Sequence, residues 1–295
     1  MKQNKVLFCI GLMIFTVFTA RAQQSVNIDM VWIPARTFTM GSPANEPNRY
    51  SEETQRLVTL TSGFWMGMYQ VTQEEWQTVM TGNANGISVT PSYFSSNPAA
   101  GEVQARRPVE SVRWYEVIVF CNRLSVMEGL SPAYFINNSI NPNDWGAVPT
   151  SSNTAWDNVQ ILPGSNGYRL PTEAQWEYAC RAGTTTAYNT GASISDNTGW
   201  YWDNSDRRTR EVGKKPPNAW GLYDMHGNVR EWCWDLYGSY SSAARTDPTG
   251  ASSGTARVER GGGWVSDESS LRSAYRYFGY PWGQYDDIGF RLARP

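Results

Sequence analysis

The chain has 295 residues, 40% of them hydrophobic and 18% charged, so it can bury a sizeable core and disorder is not its default state. A formal net charge of −2 leaves no basic excess of the kind that binds nucleic acid or an anionic membrane surface. The 14 Trp and 16 Tyr, beside 26 Gly and 16 Pro, suit a loop-rich fold whose irregular segments are pinned by large rings.

Residues 1–22 read as a secretory signal peptide. Met1 to Lys5 is a basic start, Val6 to Thr19 is apolar, and Ala20-Arg21-Ala22 supplies a small-x-small cleavage pattern. Export to the cell surface, the exterior or a periplasm follows. Residues 23–295 read as a single domain with no transmembrane segment after cleavage. Cys9 lies too early in the apolar run to be a lipoprotein cysteine. Cys121, Cys180 and Cys233 are odd in number and apolar in setting, which reads as three buried thiols.

Short strands are predicted over Asp29–Ile33 and Thr37–Met40, split by Pro34, and over the alternating Arg56–Leu60. Thr72 and Glu75 form a capping box for a helix reaching Met80. A second helix is expected from Ser111 through Phe120, Cys121 and Leu124. A third is capped by Thr172 with Gln175 and stopped by Gly183. Residues 129–167 and 184–219 read as long ordered loops, and the last third as short strands around Trp232, Arg257 and Phe290. The class is α+β with low regular content.

In order along the chain stand MVWIPARTFTMGSP, MYQVTQEEW, RPVESVRWYEVIVFCNRLS, GYRLPTEAQWEYACRAG, NAWGLYDMHGNVREWCWD, RVERGGGW and IGFRL. Together they resemble the formylglycine-generating enzyme family, the sulfatase-modifying factor domain, over nearly the whole mature chain. The resemblance implies a C-type-lectin-like fold, loop-rich and often calcium-bound. Its enzymes use a cysteine pair and copper in the segment that here runs from Trp264 to Leu271. That segment holds no cysteine, so formylglycine chemistry and copper are not expected. His226 is the chain's one histidine and reads as a structural hydrogen-bonder. The resemblance also implies a structural calcium site, with Asp224 and Glu231 as carboxylate ligands and Gly227 and Val229 as carbonyl ligands. The alternative is that Asp224 caps a turn and Glu231 pairs with an arginine such as Arg230 or Arg260.

The closing stretch, about residues 260–295, alternates two kinds of segment. Arg272 to Arg276 (RSAYR) and Ile288 to Leu292 (IGFRL) read as scaffold, with Ala274, Ile288 and Phe290 in a core and Arg272, Arg276 and Arg291 bridging carbonyls. Between them lie Val265, Ser266 and Asp267, then Tyr277, Phe278, Gly279 and Tyr280, then Trp282, Gln284, Tyr285, Asp286 and Asp287. An AAC codon randomised at its adenines yields Val, Ser, Asp, Tyr, Phe and Gly, though not Trp282 or Gln284. This resembles the variable region of the C-type-lectin-fold proteins of diversity-generating retroelements. Tyr-, Gly-, Ser- and Asp-rich loops give contact area at low rotamer-entropy cost, so these residues are the candidate ligand-binding surface. The expected partner is an extracellular protein or glycan. The other reading is an exported enzyme or enzyme accessory whose chemistry is altered or lost.

Overall fold

A computed structural model describes residues 26–295, and the expected signal peptide lies outside the described residues. Four strands open the chain: β1 (Met30–Ile33), β2 (Arg36–Met40), β3 (Arg56–Leu60) and β4 (Phe64–Gly67). The middle carries two residue pairs, β5 (Tyr134–Phe135) and β6 (Gln160–Ile161). The final third adds β7 (Arg230–Leu236), β8 (Arg245–Thr246), β9 (Arg257–Arg260), β10 (Tyr277–Gly279), β11 (Ile288–Phe290) and β12 (Ala293–Arg294). They form sheets in the orders β1-β4-β12, β10-β9-β7-β11 and β2-β3-β8, with β5 and β6 paired alone.

The helices are α1 (Gln73–Met80), α2 (Trp114–Met127), α3 (Thr154–Asp157) and α4 (Glu173–Arg181). Both expected capping boxes are present, Thr72 with Glu75 and Thr172 with Gln175. Two boundaries differ from expectation. α2 begins at Trp114 and not at Ser111, because Glu116 accepts from the Arg113 N–H at 2.8 Å and so sets the first turn there. α4 is stopped by Ala182 in the left-handed region at φ 45°, one residue before Gly183. No described helix is long and apolar enough to cross a membrane.

Large rings fill the space between helices and sheets. Trp76 stacks on Phe120 at 5.4 Å, and Phe290 meets both edge-on, which fastens β11 to α1 and α2. Two of the buried indoles are satisfied at their polar ends: Trp232 Nε1 donates to Val112 O at 3.0 Å and Trp114 Nε1 to Cys233 O at 2.9 Å. Cys121, Cys180 and Cys233 are buried free thiols.

Buried guanidinium–carboxylate pairs tie the irregular segments to this core. Arg276 forks onto Glu173 at 2.6 and 2.9 Å, Arg272 onto Glu53 at 2.6 and 2.7 Å, and Arg291 onto Glu231 at 2.9 and 3.1 Å. Arg272, Arg276 and Arg291 do donate to backbone carbonyls as expected, but each also holds a carboxylate. Glu177 is a further node. It accepts from Gly41 N at 2.8 Å, from Arg181 Nε at 2.9 Å and from Arg260. Glu177→Ala would leave Arg181 without its carboxylate and Arg260 with only Glu173 at 3.5 Å, so the unfolding free energy in a urea titration should fall by roughly 3–5 kcal/mol with an unchanged slope.

Candidate functional site

β10 and β11 occupy opposite edges of the four-stranded sheet, with β9 and β7 between them. The chain from Tyr280 to Asp287 must therefore pass two strands to reach β11, and it does so braced against the entry to α2. Tyr115 N donates to Pro281 O, Arg113 Nε to Trp282 O at 3.2 Å, Gln284 Nε2 to Ser111 O and Ser111 N to Tyr285 O, both at 3.0 Å. A loop with its backbone so held can present its side chains rigidly.

Four rings on this edge strand and loop are largely open to solvent: Tyr277 at 44%, Phe278 at 44%, Tyr280 at 46% and Tyr285 at 47%. Val265, Asp267 and Gln284 are exposed as well, and Ser266 and Asp286 are half-buried. Trp282 is half-buried, stacks under Tyr280 at 4.9 Å and packs on the core. Asp267 has a local duty as well, accepting from Ser270 N at 3.1 Å to cap the turn Glu268–Leu271.

Two residues of the candidate surface belong to the scaffold instead. Asp287 is only 6% exposed, because Arg230 grips its carboxylate with Nε at 3.0 Å and Nη2 at 2.8 Å. Gly279 is buried where a Cβ would meet Glu259 Oε1 at 2.1 Å and Trp232 at 2.7 Å, so the position admits no side chain without displacement. Arg230 joins the segments: it also holds Glu259 at 2.6 Å and lies 4.8 Å from the ring centre of Tyr277. Burial pushes the Glu259 carboxyl up to about 7, and Arg230 opposes that rise.

The rings continue beyond the closing stretch. Tyr50, Tyr275, Tyr277, Phe278 and Tyr237 form successive contacts at 5.5, 6.4, 5.6 and 4.7 Å. Tyr93, 71% exposed, neighbours Phe94, whose ring meets Trp264, and Trp264 Nε1 donates to Asp286 O. Trp202, exposed, bonds through its N–H to Ser266 O. Sequence reasoning passed over Tyr50, Tyr93, Trp202 and Tyr237. The signal was present for two of them, since PNRYSEE and PSYFSSNP place rings among Ser and Pro, as the closing stretch does.

Asp224, Gly227, Val229 and Glu231 do converge, but on a side-chain amide. Gln70 Nε2 donates to Asp224 O at 3.3 Å, Gly227 O at 3.2 Å, Val229 O at 2.9 Å and Glu231 Oε1 at 3.0 Å. Asp224 contributes its carbonyl and not the expected carboxylate, whose Oδ2 accepts from Gly213 N at 2.8 Å. Glu231 pairs with Arg291 and not with Arg230 or Arg260. Gly227 sits at φ 106°, where a Cβ would meet Trp200 O at 2.1 Å. Turning the amide over would set its oxygen against four acceptors. As arranged, the Gln70 amide fills the hub that a cation would take, while Asp224 Oδ1 and Gln70 Oε1 are buried without a hydrogen-bond partner.

A Glu46-Pro47-Asn48 triplet, of the type that binds calcium and sugar in some lectins, is likewise committed to the scaffold. Arg272 donates to Glu46 Oε1 at 2.7 Å and to Asn48 O at 2.8 Å.

His226 is fully enclosed. Leu271 O only accepts and Asn189 N only donates, so Nδ1 carries the proton toward Leu271 at 2.7 Å and Nε2 accepts from Asn189 at 3.1 Å. Burial brings its pKa down to about 4, so the ring is neutral. The adjoining Cys180 thiol is pushed up to about 12 by burial, and burial raises Cys121 and Cys233 as well.

The chain matches the family model of the sulfatase-modifying factor enzyme 1-like domain over residues 15–295. It belongs to this family. It is 34% identical to the chaperone protein LppX of Paenibacillus barcinonensis, over 92% of this chain and 90% of that one. It is 30% identical to the formylglycine-generating enzyme of Thermomonospora curvata, over 92% and 95% of the two chains. Among solved structures it is similar to Treponema denticola variable protein 1, with a TM-score of 0.81, 37% identity and coverage of 93% and 98%. The fold is thus the loop-rich, C-type-lectin-like α+β fold of the sulfatase-modifying factor family.

Proposed function

We propose that the protein is an exported, non-catalytic receptor whose C-terminal face, centred on Tyr277, Phe278, Tyr280 and Tyr285, captures an extracellular protein or glycan. The observation that carries this reading is the exposure of four neighbouring rings on backbone that is itself pinned, since rigid aromatic anchors bind with little entropy lost. The likeness to Treponema denticola variable protein 1 supports it, as does the alternation of buried blocks with exposed ones. Side-chain variation at the exposed positions would alter ligand choice without disturbing the core. Relatives include formylglycine-generating enzymes, but in this chain the segment Trp264–Leu271 has no cysteine. The described thiols are all buried with raised pKa values, and the one histidine is enclosed.

Replacing Tyr277, Tyr280 and Tyr285 together with Ser tests the reading. Exposed replacements cost little each, so the Tm should stay within about 5 °C of the parent. Capture on a printed glycan array and from a displayed random-peptide library should be lost. A variant that unfolds, capture that persists, or a parent that captures nothing in either format would each contradict the proposal.

A further inference from the structure

A cleft of about 460 Å³ lies between β3, the chain just after β7 and the β8–β9 connection. Arg56, Arg245, Arg276, Tyr240 and three serines line it, and no carboxylate does. The charge of Arg276 is met by Glu173. Arg56 and Arg245 have no acidic partner among the described residues: Arg245 Nη2 reaches Ser241 Oγ at 3.4 Å, and Arg56 Nη2 reaches the Met40 sulfur at 3.6 Å. Asp247, beside Arg245 on the chain, is taken by the N–H and hydroxyl of Thr61.

The guanidinium groups of Arg56 and Arg276 each lie 3.7 Å from the ring centre of Tyr240. Arg56 Nε is shut from solvent with no hydrogen-bond partner, so an acceptor in the cleft would meet Arg56 at its terminal Nη groups. Elsewhere in the fold, buried arginines such as Arg272 and Arg291 are forked onto carboxylates. Here Arg56 and Arg245 meet no carboxylate, and a guanidinium is suited to an oxyanion.

We propose that this cleft binds an oxyanion, a carboxylate, sulfate or phosphate group on a ligand, with Arg56 and Arg245 as its cationic wall. Tyr237 links it to the aromatic face, with Arg276 4.8 Å from its ring centre and Phe278 at 4.7 Å on the other side. The proposal does not depend on that face, because the probes are simple anions. The mature chain is titrated with inorganic sulfate, inorganic phosphate and glucuronate at constant ionic strength, with binding read by calorimetry. At least one should bind saturably, and the preferred anion distinguishes a sulfate or phosphate source from an acidic sugar. Arg245→Glu and Arg56→Gln should each weaken that binding at least about tenfold, whereas Lys214→Glu, the same charge change at an exposed position outside the cleft, should not. No saturable binding of any of the three up to about 50 mM, or an equal loss in Lys214→Glu, overturns the proposal.

The Gln70 hub carries a second inference independently. We infer that the Gln70 amide takes the place that a calcium ion holds in a site of this type. Its two N–H groups face four oxygens, and Arg291 already balances the charge of Glu231. The parent Tm should then be indifferent to excess EGTA or calcium. Gln70→Glu, which sets a carboxylate among those oxygens, should melt lower in EGTA and recover as calcium is added. A parent Tm that falls in EGTA and is restored by calcium overturns the inference, whether or not the variant folds.

Discussion

The structure depends on one kind of interaction, the buried arginine forked onto a carboxylate. A chain with so little helix and strand leaves many backbone carbonyls without ladder partners, and a dry, unpaired carbonyl is costly. A guanidinium supplies five donors in a fixed plane, so one side chain serves a carboxylate and several carbonyls together. Arg291 shows the pattern: it holds Glu231 and donates to the carbonyls of Gly67, Met68 and Tyr223, drawing three distant segments to one point. Such pairs stabilise little against an apolar alternative, but removing one partner is severe. They act as cross-links that fix which loop meets which.

This arrangement frees the surface. Arg272, Arg276 and Arg291 fasten the closing stretch from below, and the exposed rings Tyr277, Phe278, Tyr280 and Tyr285 between them lie largely outside the packing. The boundary is sharp. Asp286 and Asp287 are adjacent and identical, yet one keeps its carboxylate partly in solvent while the other is clasped by Arg230. Burial, and after it the neighbouring Asp287 charge, pushes the Asp286 carboxyl up.

Local pattern was legible in the sequence and distant pairing was not. Thr72 with Glu75 and Thr172 with Gln175 announce their helices because a capping box lies within four residues. The apolar spacing that marks α2 does not reveal that Ser111 lies outside it, at φ 60° with its N–H donated to Tyr285 O, a tertiary contact. The four hub positions were legible through family resemblance, but Gln70, more than 150 residues away, was not. Nothing local says which of two aspartates meets Arg230, or that Gly279 must stay bare beneath Glu259.

In the closing stretch, segments of paired scaffold alternate with segments of permissive surface. Saturation mutagenesis of residues 264–292, sorted for resistance to proteolysis, tests it directly. The account predicts broad tolerance at Val265, Tyr277, Phe278, Tyr280, Tyr285 and Asp286, and intolerance at Arg272, Arg276, Gly279, Asp287 and Arg291. Equal tolerance at Asp286 and Asp287, or intolerance at the exposed rings, would contradict it.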